Sequence, residues 1–219
     1  RVVAAGGDAE VDALAAADGA DLVELRADLF DDPRPDTVTA VLVRLRAAGR
    51  PIILTVRAAA EGGRPLDDGR RQEIYLAGLP YADAIDLEIA STALAREVLP
   101  AARAAGRTVI LSAHALDATP PPATLLALIG RAETLGADLV KLAAHAPDLP
   151  ALQTLLEVTL AARARGIVTL AMGPMGPLSR LVLPAAGSLL TYGRVGRPTA
   201  PGQLAAAELA ALVRRLFPG

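Results

Sequence analysis

Short aliphatic runs alternate along the chain with longer alanine- and leucine-rich stretches of helical periodicity, and this alternation narrows the choice of fold more than any other feature. The runs are RVVAA (1–5), LVELRAD (22–28), IILTVR (52–57), AIDLEI (84–89), TVILSAH (108–114), DLVKLA (138–143), IVTLAMG (167–173) and SLLTYG (188–193). Helical patterns lie near 8–18, 35–48, 68–79, 91–105, 121–135, 148–165, 177–185 and 202–216. Gly49, Gly106, Gly136 and Gly166 each fit a helix stop, where the chain turns left-handed and a Cβ is costly. Consecutive parallel strands need helical crossovers of this kind. Eight βα units without a break in composition predict a single (β/α)8 TIM barrel, one domain over 1–219. An open doubly wound sheet is the runner-up. It would carry a glycine-rich phosphate turn after its first strand, for which AAGGDAEV is a weak candidate, and neither GxGxxG nor GxxxxGK[ST] occurs.

Composition removes several classes of function. Aromatic residues are 2% of the chain, so the core must be aliphatic and built from small contacts. A formal net charge of −2 supplies no general field for nucleic acid or an anionic membrane, and neither is an expected partner. The absence of cysteine excludes disulfides, thiolate nucleophiles and Cys-type zinc sites, and fits a cytoplasmic location. No metal or cofactor is expected. No apolar run approaches the ~20 residues that span a bilayer. The opening RVVAAGGDAEV lacks a signal-peptide plan and an initiator Met, so the expectation is that the sequence begins within the first strand.

In a barrel, chemistry gathers at the C-terminal ends of the strands. Here those ends carry Glu24 and Arg26, Thr55 and Arg57, Asp86 and Glu88, Ser112 and His114. Each pair is spaced i, i+2, so both members share one side of the sheet, and an inward orientation lines the mouth with charge. Buried Glu–Arg pairs can also be purely structural. The sixth strand adds Lys141, the one lysine among 22 basic side chains of Lys and Arg. A site needing only charge could hold arginine; a site needing a deprotonatable primary amine could not. Flanked by Val140 and Leu142 and near Arg57, Lys141 is expected to be neutral, able to attack a carbonyl and form a Schiff base, with His114 moving protons. The plainer alternative is a lysine that balances Asp138 or Asp86.

These segments, in order, resemble type I 3-dehydroquinate dehydratase, the Schiff-base lyase of the shikimate pathway to chorismate and the aromatic amino acids. VELRAD (23–28), LTVRAAAEGG (54–63), IDLEI (85–89), SAHALDATP (112–120), ADLVKLA (137–143), MGPMGPLSR (172–180), GSLLTYG (187–193) and TAPGQ (199–203) look like that family's motifs. The resemblance implies that the substrate is 3-dehydroquinate. Lys141 then forms the imine with the C3 ketone, His114 removes the C2 proton, and Glu61 orients His114. Glu24, Arg26 and Arg57 hold ring hydroxyls, while Arg180 and Gln203 clamp the carboxylate, Arg180 from the first turn of a helix begun near Pro177. Thr199 and Gln203 sit on a loop that closes as a lid. Met172 lies against the ring, where ordinary packing is the simpler explanation. A homodimer is also implied.

The chain departs from the family pattern in four places. Ala115-Leu116 replaces Asp-Phe after the histidine, which puts the histidine's orientation in question. Thr199 replaces a serine, and Tyr192 replaces a phenylalanine. The sequence has little room for the N-terminal hairpin of longer members. His145 matches no family role and is expected in a loop at the rim. Two other functions compete: a class I aldolase-type barrel that binds a phosphosugar through YGRVGRPTAPGQ (192–203), and a silent barrel that serves as a binding partner.

Overall fold

The computed structural model describes residues 1–217, which form eight parallel strands alternating with eight helices. The strands are β1 (Val2–Gly6), β2 (Leu22–Arg26), β3 (Ile52–Thr55), β4 (Ala84–Glu88), β5 (Thr108–Ala115), β6 (Leu139–His145), β7 (Ile167–Met172) and β8 (Thr191–Arg194). The helices are α1 (Val11–Ala15), α2 (Pro35–Ala47), α3 (Asp68–Gly78), α4 (Thr92–Ala104), α5 (Pro122–Thr134), α6 (Leu149–Ala162), α7 (Gly176–Ala186) and α8 (Ala206–Leu216). The sheet order β7-β6-β5-β4-β3-β2-β1-β8 wraps round until the two end strands meet. There the Leu189 amide donates to the Ile167 carbonyl at 2.9 Å and the Thr169 amide to Ser188 Oγ at 2.9 Å, closing a (β/α)8 barrel.

Strand alternation sorts the side chains into two compartments. Val23, Leu25, Ile52, Leu54, Ile85, Leu87, Val109 and Leu111 point outward into the layer beneath the helices, where they are almost fully buried. Each such side chain contributes roughly 1.5–3 kcal/mol. The other parity faces inward. Its lower level is apolar, with Ile53, Ala84, Ile110 and Val168, and its upper level carries the ionisable groups. The helix-facing layer supplies the stability, so the upper interior can be polar.

A repeated device sets the floor. Asp21, Asp83 and Asp138 each immediately precede a strand, and each accepts an amide from the first or second residue of the strand before: Val2 (2.7 Å), Ile52 (2.9 Å) and Val109 (2.7 Å). The predicted glycine stops hold: Gly49, Gly106, Gly136 and Gly166 have φ of 76°, 67°, 84° and 66°.

Several expected boundaries move. The pattern over 202–216 becomes helix only from Ala206, because Gly202 has φ 76° and packs on Gly173 and Gly176, where a Cβ would lie 2.5 Å from the Gly173 carbonyl oxygen. The last strand starts at Thr191, since the Ser188 side chain is engaged with β7. The first helix is one short turn of 3-10 helix followed by α1. His145, expected in a loop, is the last residue of β6, paired with Met172 and packed on Gly173.

Candidate active site

Register explains why Lys141 meets the strand-end carboxylates. Ser112 on β5 pairs with both Glu88 on β4 and Lys141 on β6, so the three stand on one inward level. Curvature then brings β2, β4 and β6 together over the lysine. Its Nζ donates to Asp86 Oδ2 at 2.8 Å and Glu24 Oε1 at 3.2 Å, with the Tyr192 ring centroid 4.1 Å away. Burial alone would lower its pKa, but the carboxylates of Asp86 and Glu24 overcome this and hold it above the ordinary lysine value. The resting amine is therefore an ammonium, which corrects the expectation of a neutral one. Val140 and Leu142 lie in the helix-facing layer and do not surround Nζ. The charge of Arg57 is taken by Asp86 (3.0 Å) and Glu88 (2.9 Å). Pairing with Asp86 was foreseen only in the plainer alternative; Asp138 instead caps Val109.

His114 stands one pleat above Ser112 on the same face of β5. Both its backbone amide (3.0 Å) and its Nδ1 (2.8 Å) meet Oε2 of Glu61, from the loop after β3. Glu61 thereby fixes the ring without the carboxylate that Ala115 replaces. Burial, reinforced by Arg57 and Lys141, lowers the histidine pKa well below its usual value, so the imidazole is neutral. Burial pushes the Glu61 carboxyl up to about 7, against the pull of Arg57. With Nδ1–H on Glu61, Nε2 is left as the basic nitrogen.

Arg180 lies one turn into α7, which starts at Gly176, so it is past the first turn where it was expected. Its guanidinium donates to the carbonyls of Tyr192 (3.0 Å), Ala171 (2.9 Å) and Gly176 (2.8 Å) and has no carboxylate partner among the described residues. Burial lowers its pKa to about 10, the mark of a desolvated cation that an anion would relieve. Arg26 is held in a bidentate pair by Asp28 (2.8 and 2.7 Å). Gln203 Oε1 accepts from the Thr199 amide (2.8 Å), the Thr199 hydroxyl (3.1 Å) and the Ala200 amide (3.2 Å), tying the loop after β8 to itself.

One pocket at the strand C-termini is lined by Lys141, His114, Glu61, Glu24, Arg26, Arg57, Arg180, Thr199, Gln203 and Met172. Tyr192 and Leu116 line it too. Arg194 and Arg197, the cations of the glycine-rich stretch suited to a phosphosugar, do not line it; Arg194 bonds the Gly196 carbonyl and Arg197 is exposed.

A supporting layer was missed. Glu88 is gripped by Arg71 and accepts from Arg57, Ser91 and the Ala58 amide. Tyr75 donates to the Asp86 carbonyl at 2.6 Å and accepts from the Val56 amide at 3.0 Å. The signal was present in the sequence: Arg71, Ile74, Tyr75 and Gly78 follow helical spacing, which puts an arginine on the sheet-facing stripe of α3.

Fold and site together define a (β/α)8-barrel enzyme, with an amine, an imidazole and an arginine that has no carboxylate partner among the described residues lining one mouth. The family model for type I 3-dehydroquinase matches residues 5–217, and the chain belongs to that family. It is similar to the 3-dehydroquinate dehydratase of Methanocella arvoryzae, 39% identical over 192 residues that cover 87% of this chain and 85% of the relative. Among solved structures, the 3-dehydroquinate dehydratase of Aquifex aeolicus superposes with a TM-score of 0.90 at 27% identity, covering 100% of this chain and 99% of that one. The type I enzyme of Clostridium difficile, solved with covalently modified comenic acid, gives 0.88 at 27% identity, covering 99% and 91%.

Proposed function

We propose that this barrel, acting as one catalytic domain, dehydrates 3-dehydroquinate to 3-dehydroshikimate through an imine on Lys141. Membership of the type I family supports the reaction, and the burial of the chain's single lysine in the pocket that holds the His114–Glu61 couple carries the assignment. The substrate carboxylate takes the open valence of Arg180, beside Gln203. Its ring hydroxyls meet Glu24, Arg26 and Arg57, and Met172 bounds the ring. The loop of Thr199 and Gln203 closes over it.

Lys141 first gives up a proton. Asp86 is already engaged by Arg57 and Ser112, whereas Glu61 binds only Nδ1 of the neutral His114, so in this reading the open Nε2 takes it. The free amine adds to the C3 ketone and water leaves. The protonated imine then draws electrons from the C2–H bond as His114 Nε2 accepts that proton. The resulting enamine expels the C1 hydroxyl, which departs as water with the proton from His114. Hydrolysis of the imine releases product and restores Lys141.

Borohydride added during turnover of 3-dehydroquinate, followed by mass spectrometry, tests this reading. A reduced adduct on Lys141 is expected. An unmodified chain under conditions of full turnover would sink it. The enzyme is further proposed to work as a cytoplasmic homodimer: the absence of cysteine supports a reducing compartment, and the family resemblance supports the dimer.

A further inference from the structure

Tyr192 carries a functional group at the reacting end of the pocket that the mechanism above leaves unused. Its side chain is 2% exposed, and its ring face lies 4.1 Å from Lys141 Nζ. Its hydroxyl is one of two buried side-chain polar atoms without a hydrogen-bond partner among the described residues; the other, Nε of Arg107, lies at the opposite end of the barrel, before β5. Buried hydroxyls are nearly always satisfied, and an orphan in a binding pocket calls for a partner that arrives with the ligand. A phenylalanine would make the same ring contacts without leaving a polar atom unpaired.

We propose that the Tyr192 hydroxyl donates a hydrogen bond to the oxygen on the carbon that Lys141 attacks, stabilising the tetrahedral carbinolamine and assisting the departure of that oxygen as water. The proposal rests on the imine reading. The amine lone pair forms the C–N bond while the carbonyl π pair passes to oxygen. That oxygen collects one proton from the amine by way of His114 and a second from the imidazolium as the C–O bond breaks. The phenol keeps its own proton throughout. Burial raises the ionisation of this phenol above the usual tyrosine value, and Glu24 and Asp86 add to the rise against the pull of Lys141, so it stays a neutral donor. A donor aimed at developing negative charge from a dry wall is the arrangement that stabilises tetrahedral intermediates most effectively.

Tyr192→Phe tests this. Wild type and variant are mixed with 3-dehydroquinate, quenched with borohydride after graded delays, and the adduct on Lys141 is counted by mass. Melting temperature is measured alongside. The expected result is an imine-formation rate lowered roughly 10²-fold, the order that loss of one pre-aimed donor produces, with no fall in melting temperature. The C2-deuterium isotope effect on turnover is expected to shrink, since imine formation becomes limiting. An unchanged imine rate overturns the proposal, whatever the melting temperature does. Absence of an adduct in the wild type overturns the imine reading, and this proposal with it.

Discussion

Lys141 and Asp86, 55 residues apart in sequence, form an ion pair of 2.8 Å across the barrel mouth, and Asp86 is also 3.0 Å from Arg57. One carboxylate thus balances two buried cations, with Glu24 and Glu88 beside it. The amine is held as an ammonium, so the proposed imine route has to begin with its deprotonation.

Lys141→Arg keeps the positive charge and removes the nucleophile. Turnover is expected to vanish while far-UV circular dichroism is unchanged. Substantial residual activity in pure variant would rule out the covalent route.

Asp86→Asn removes the shared counter-charge. Breaking a buried pair in this way costs roughly 3–5 kcal/mol, to be read from a urea melt. The amine pKa is expected to fall, so that borohydride trapping extends to lower pH than in wild type. A melt and a trapping profile that both match wild type would contradict the assigned balance of charge.

The pH profile follows from Glu61, whose carboxyl titrates at about 7. A raised acid pKa means that the carboxylate is lost as pH falls through that value, and with it the acceptor that orients Nδ1–H of His114. Because the histidine pKa is lowered, its own protonation comes only further down. kcat is expected to drop below about pH 7, and Glu61→Gln is expected to lower kcat and abolish that limb. An identical limb in the variant would assign it to another group.

Arg180→Gln removes a pocket cation that has no carboxylate partner among the described residues. A rise in KM of roughly 10²-fold is expected from the loss of charge-assisted hydrogen bonds. A change confined to kcat would show that Arg180 does not hold the substrate carboxylate.

Gly63→Ala tests the Glu61 loop through its backbone. A Cβ there would lie 2.0 Å from the Arg57 carbonyl oxygen, so the loop must shift. A loss of roughly 1–3 kcal/mol is expected, with a fall in kcat that Arg64→Ala, at the exposed next residue, does not share. Wild-type stability and rate would show that the loop yields without cost.

The fold and the inward parity of the site were legible because they depend on local periodicity. Once Val23 and Leu25 face the helices, Glu24 and Arg26 can only face the barrel axis. The protonation of Lys141 was not legible, because it depends on Asp86 and Glu24, which only barrel curvature brings close. Its neighbours Val140 and Leu142 occupy the other side of the strand and say nothing about the environment of Nζ. The free valence of Arg180 and the unpaired hydroxyl of Tyr192 belong to the same class of fact: both are defined by which distant groups fail to reach them.

Because the only ε-amine in the chain is walled inside β6, a protease that cuts after lysine finds its single cleavage point in the middle of a buried strand. The native enzyme is closed to it, and an opened molecule yields two fragments of predictable mass. The residue assigned to the chemistry thus doubles as an internal clock for the rate at which the cylinder comes apart.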